Sequence, residues 1–214
     1  MAHPADPELV VVTSVRLKGF ADVDSIVEAS GLPAADVDAV LADLEGRGLA
    51  RHREGRVSGW ALMPDGRALH AQLAAAELAA AACASEIEAA YREFLALNPR
   101  LLATASAWQL RQEGGQAVVN DHSDRDHDKR VLADLRTLHD EALPLVERIA
   151  ALFSRFGRYG TRLSRAVEQV EAGQHEWFTK PLIDSYHTVW FELHEDLLST
   201  LGKERASEES KELA

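Results

Sequence analysis

Two stretches of this 214-residue chain concentrate side chains able to bind ligands or move protons. The first is Asn120-Asp121-His122-Ser123-Asp124-Arg125-Asp126-His127-Asp128. Its imidazoles and carboxylates are donors that suit a divalent cation. The spacing of Asp124, Asp126 and Asp128 matches the opening of a calcium loop. Lys129, however, stands where such a loop needs glycine, and Leu135 where it needs the closing glutamate. The stretch therefore reads as a helix start, with Ser123 as cap and Asp126 three residues on, in a variant capping box. Acids in a first turn also suit the helix dipole.

The second stretch runs from Gln174 to Asp196. On one continuous helix over 181–201, Asp184, His187, Phe191 and His194 fall at spacings of 3, 4 and 3 and share a stripe. Asp184 would then orient His187 and leave its second nitrogen for a ligand or proton. Trp177, Tyr186 and Trp190 would wall an aromatic pocket. Trp108 extends that wall, and Arg111 offers a guanidinium to an anionic group. The candidate ligand set is thus Trp108, Arg111, Trp177, Asp184, Tyr186, His187, Trp190 and His194. The competing reading is a packed core in which His187 bonds a neighbour. No HExxH pair, Ser-His-Asp order or phosphate-cradling glycine loop accompanies these residues, so no catalytic residue, metal or cofactor is expected.

A third group could hold phosphate. Arg47, Arg51, His52, Arg53 and Arg56 lie within ten residues, and Arg16 and Lys18 can add to them. Against them stands the segment 21–45, with seven acids (Asp22, Asp24, Glu28, Asp36, Asp38, Asp43, Glu45) and no base. The formal net charge is -12, so contact with nucleic acid would have to come from a local patch.

The elements that must position these groups are legible in the apolar spacing. Helices are predicted over 7–18, 21–30 and from Pro33 onward, the third carrying Val37, Val40, Leu41 and Leu44 at a 3.6-residue period. A hairpin follows over 49–63, turning near Glu54-Gly55. Pro64 opens a long connecting helix over about 64–97, which Asn98-Pro99 should break. Then come a helix at 99–111, a loop at 112–123, helices at 124–142 and 144–155 divided by Pro144, one at 161–172 and the last at 181–201. The expected fold class is mainly α. A winged-helix domain with a small β-hairpin wing spans 8–75, an all-α helical domain spans 76–201, and 202–214 is a polar tail.

The order helix, helix, helix, hairpin, then Pro-x-Gly-Arg at a helix start resembles winged-helix proteins. The segments GLPAADVDAVLADLEGRGLARH (31–52) and LMPDGRALHAQL (62–73) resemble the MarR-like regulators of bacteria. FLALNPRLL, WQLR, NDHSD and WFTKPLIDSYHTVWFELHEDLL, within 94–198, resemble actinobacterial proteins associated with enzymes that use phosphoenolpyruvate and pyruvate. The first resemblance implies a DNA-binding transcriptional regulator, a homodimer that responds to a ligand through its helical half. In it Arg47, Arg51, His52, Arg53 and Arg56 would touch DNA. The second implies an accessory or adaptor protein that docks on such an enzyme and does not bind DNA. A metal-dependent enzyme built from the His and Asp clusters is a third reading. Lone Cys83 fits a reducing cytoplasm, no signal peptide is visible, and no apolar run reaches the ~20 residues of a membrane span.

Overall fold

A computed structural model describes residues 2–203 and is mainly helical. The polar tail read from sequence lies, from residue 204 on, outside the described residues. Helices α1 (Pro7–Lys18), α2 (Val23–Ser30) and α3 (Ala34–Gly46) precede a hairpin of β1 (Ala50–Arg53) and β2 (Gly59–Leu62), followed by α4 (Pro64–Ala81). The first three helices and the hairpin agree with the predicted elements to within a few residues. Asp6 and Asp22 cap α1 and α2 through the amides of Glu8 and Ser25, filling donors that a helix start leaves open. Ala21 bridges Trp60 on the hairpin's edge.

The run of valines in α1 is explained by its position. Leu9 to Val15 are all buried. Val11, Val12 and Val15 join Ile26, Val37, Leu41 and Leu44 in the N-terminal core, while α1 also packs on α4 and on α9 (Tyr186–Thr200). A helix covered on all sides is apolar on all sides. Each fully buried valine or leucine contributes roughly 1.5–3 kcal/mol.

From α4 onward the structure departs from the predicted elements. The helix from Pro64 does not run to residue 97. It ends at Ala82, which takes a left-handed backbone (φ 50°), and α5 (Ala84–Gln109) starts in a new direction. A left-handed alanine costs about 1–2 kcal/mol. In return Ile87, Tyr91 and Phe94 reach the second core. Pro99 lies inside α5, and Pro144 inside α6 (Arg125–Leu152), so neither breaks its helix. Both prolines are exposed, so water can reach the carbonyls they leave unbonded. The buried stripes continue unbroken past both, through Phe94, Leu101 and Ala105 and through Leu138, Ala142, Leu145 and Ile149. Packing thus outweighs the ~3 kcal/mol penalty of an interior proline.

The predicted loop 112–123 contains a second hairpin, β3 (Leu110–Glu113) with β4 (Gln116–Val119), so the C-terminal half is not all-α. Its two-residue turn is Gly114-Gly115, both at positive φ, the geometry that matches strand twist. A 3-10 turn (Ser154–Phe156) leads into α7 (Gly157–Glu171). A short α8 (Glu176–Thr179) precedes α9, which starts at Tyr186 rather than at 181. Ser185 caps it through the amide of Thr188. Leu182, inside the span predicted as the last helix, is fully exposed with φ 68°. The cap of α6 is Asp124, bonded to the amides of Asp126 and His127, whereas Ser123 bonds Asp121 instead. In the second core α5 packs on α6, α6 on α7, and α7 on α9.

Candidate functional site

Asp36, Asp38, Asp43 and Glu45 of α3 are all exposed, Asp36 and Asp43 along one flank of its buried stripe and Asp38 and Glu45 along the other. Arg47, at its end, is bound to Glu8 and Asp43. Arg16 donates to the carbonyl of Glu195, and Lys18 pairs with Asp184 and Glu192 at 3.1 Å. Three of the expected phosphate contacts are therefore engaged elsewhere. His52 lies half-buried against Trp60, 5.0 Å between ring centres. Arg51, Arg53 and Arg56 are exposed and have no ion-pair partner among the described residues. One surface thus combines a carboxylate-bearing helix with a hairpin carrying three unpaired guanidiniums.

The eight residues read as one ligand pocket are dispersed. Because α9 starts at Tyr186, Asp184 lies before it and cannot orient His187. Asp184 is buried against Arg162 (2.6 and 2.8 Å) and Lys18 (3.1 Å). Burial alone would raise its pKa, but these cations hold it below the usual carboxylate value. His187 is half-buried, and burial lowers its pKa. Trp190 stacks on Phe94 (4.6 Å) and donates Nε1–H to Asn98 Oδ1. His194 Nε2 meets the Tyr91 hydroxyl at 3.2 Å. Tyr186 is fully buried between His139 and Trp190. Trp177 lies under Arg165 on α7. Arg111 pairs with Glu113 and Asp121, so its guanidinium is already neutralised. Most of the set belongs to core and ion-pair networks.

Trp108 does line a cleft, and the two His-rich stretches meet there. Around it stand Asn120, His122, His175, Thr179 and Lys180, enclosing about 290 Å³. The second hairpin brings Asn120 back to the end of α5, where its amide bonds the Gln109 carbonyl and its Nδ2 donates to the Trp108 carbonyl and to Asp128 Oδ1. His122 Nδ1 lies 3.1 Å from Asp128 Oδ2. A carboxylate only accepts, so Nδ1 donates to Asp128. The His122 ring lies 4.5 Å from Trp108 and 4.4 Å from His175. Its backbone is left-handed (φ 60°), held there by the Asn120 side chain and Asp128. Strained, over-determined residues of this kind cluster at sites that hold a ligand. Asn120, His122, Asp128 and His175 fall outside the ligand set read from sequence, although they lie in the two stretches singled out there. The signal for their meeting was Gly114-Gly115, whose turn folds residue 120 back onto 108. Among the described residues no group of three or more His, Cys, Asp or Glu side chains is placed to hold a metal ion, and no helix is long and apolar enough to cross a membrane.

A buried network of charge joins the N-terminal elements to the helical half. Arg155 bonds Glu77, Asp196 and Thr200, Arg158 bonds Asp196, Ser14 and the Val10 carbonyl, and Arg162 bonds Asp184 and Glu192. Tyr159 donates its hydroxyl to Asp196 at 2.7 Å. Asp196 is completely buried. Burial opposes its charge, but Arg155 and Arg158 prevail and pull its pKa down to about 2. No protein-family model matches the chain, and no characterised protein or solved structure is significantly similar to it.

Proposed function

We propose that this chain is a docking protein: a winged-helix-like N-terminal part that binds a protein partner, coupled to a helical part that holds a small ligand beside Trp108. The observation carrying this reading is the split sign of the docking surface. In a winged helix the third helix and the hairpin approach the same duplex. Here that helix exposes four carboxylates, one of which, Asp43, shares the terminal Arg47 with Glu8. One carboxylate about 5 Å from a phosphate costs roughly 0.8 kcal/mol even in bulk water. A polyanion is attracted to Arg51, Arg53 and Arg56 and repelled beside them, whereas a protein with patches of both signs satisfies both faces. The sequence resemblance names the partner class, an enzyme that uses phosphoenolpyruvate or pyruvate. Sedimentation of the full chain with such an enzyme from its own host is expected to show a complex. Reversing Arg51, Arg53 and Arg56 to Glu is expected to abolish it, and no complex with the wild type overturns the partner assignment.

The second reading is a homodimeric, ligand-responsive transcriptional regulator. It is favoured by the same three arginines, without an ion-pair partner among the described residues, and by the order of the first six elements. A gel-shift series at about 50 mM salt separates the two, since phosphate contacts are strongest at low salt. The docking reading expects no shift by wild type, and a shift once Asp36, Asp38, Asp43 and Glu45 are neutralised to Asn or Gln. A wild-type shift lost on reversal of the three arginines would establish the regulator instead.

A further inference from the structure

Between the N-terminal helices and α7 lies a cavity of about 420 Å³. Its wall includes Val10, Ser30 and Leu32 on one side and Ser154, Thr161 and three arginines, Arg155, Arg158 and Arg162, on the other. The acids that pair with those arginines, Glu77, Asp184, Glu192 and Asp196, are not part of the wall. The carboxylate that is, Glu28, is bonded to Arg165. Arg158 and Arg162 thus line the cavity with side chains 7% exposed, the Arg155 side chain is 0% exposed, and the paired acids stand outside the wall. Arg158 carries the more specific sign. Its side chain is 7% exposed, and its terminal nitrogens reach Val10, Ser14, Tyr159 and Asp196. Its Nε, however, is buried with no acceptor among the described residues. A buried N–H without an acceptor calls for a partner such as an ion or a water; Arg16 Nε and Arg111 Nε share this state, but neither residue lines this cavity.

We infer that this cavity binds a small oxyanion, phosphate or carboxylate, which accepts from Arg158 and the neighbouring hydroxyls and bridges the two halves of the chain. An oxyanion matches the planar fork of guanidinium better than any neutral ligand does. It would touch α1 and the α2–α3 turn on one side and α7 on the other, so its binding tightens one half against the other. This site is separate from the cleft at Trp108 and does not depend on which macromolecule the N-terminal part meets.

The test is the thermal midpoint of the full chain in about 20 mM inorganic phosphate or acetate, against chloride at matched ionic strength. A millimolar dissociation constant at that excess corresponds to a rise of about 4–7 °C. A rise with phosphate alone identifies a phosphate site, and one with acetate alone a carboxylate site. Thr161→Glu places a carboxylate on the cavity wall from an exposed position of α7. It is expected to leave the unliganded midpoint within about 2 °C, as surface changes do, and to abolish the rise. Arg158→Gln is expected to lose the response as well, while Arg111→Gln, remote from this cavity, keeps it. No rise with either anion, or a full response in Thr161→Glu, overturns the assignment.

Discussion

Replacing Asp196 by Asn tests whether buried charge holds the two halves of this chain together. The substitution keeps shape and removes one charge from a group that accepts from Arg155 Nη1 (2.6 and 2.7 Å), Arg158 Nη2 (3.0 Å) and the Tyr159 hydroxyl (2.7 Å). The fall of its pKa from 3.8 to about 2 corresponds to about 2 kcal/mol in favour of the ionised form. Arg155, whose side chain is 0% exposed, would be left with Glu77 as its only carboxylate among the described residues. Burial raises the Glu77 pKa against the pull of Arg155, so Glu77 alone is a weak counter-ion. Removing one member of a buried pair costs about 3–5 kcal/mol. For a chain of this length that lowers the melting midpoint by roughly 6–20 °C. The assay is urea unfolding of wild type, Asp196→Asn, Arg155→Met and the double variant at pH 7. The double variant removes both members of one ion pair, though Glu77 loses Arg155 and Arg158 loses Asp196, and because the two single changes disrupt the same network its loss should fall short of the summed single losses by about 0.5–3 kcal/mol. Because the folded pKa of Asp196 is depressed, its contribution is present above pH 3.8 and is lost as pH falls through about 2. A single-variant loss below about 1 kcal/mol, or additive losses in the double, would refute the network as the joint between the halves.

Gly66→Ala should be severe, because a Cβ there would lie 2.0 Å from the Leu49 carbonyl oxygen; a loss of about 1–3 kcal/mol or more is expected, while Gly55→Ala in the open hairpin tip stays near neutral, both read by thermal unfolding. At the left-handed position 122, where either change removes the bond to Asp128, His122→Gly should be more stable than His122→Ala by about 0.4–1 kcal/mol; the reverse order in denaturant titration would mean that backbone strain is absent there. His70 is 3% exposed, and burial pushes its pKa down to about 4. Its folded pKa lies below the ordinary 6.5, so its contribution is present above pH 6.5 and is lost as pH falls toward 4. His70→Leu should flatten the stability profile in that interval, and an unchanged slope would show that His70 does not drive it.

The N-terminal elements were readable from sequence because local signals and tertiary demands agree there. Asp6 and Asp22 cap, Gly19 and Gly31 stop their helices with positive φ, and Val37, Leu41 and Leu44 fall on one helical face. Farther along the chain the strongest local signals misled. Pro99 and Pro144 read as breaks, yet each lies on a solvent face where its lost bond is cheap and the buried stripe beyond it is worth more. Ala82 carries no stop signal, and the chain turns there only because α5 has a core to reach. The stripe from Asp184 to His194 assumed a helix beginning at 181, and a start at Tyr186 turned Asp184 toward Arg162 and Lys18. Residue types by themselves established which side chains this protein has for recognition: five cationic or imidazole groups around one hairpin, an acidic third helix and two His-rich stretches. Partnership among them, His122 with Asp128 and His175, Lys18 with Asp184, Arg155 with Asp196, was decided only by the tertiary structure. Charge pairing acts over a few ångströms of space, and distance along the chain carries no record of it.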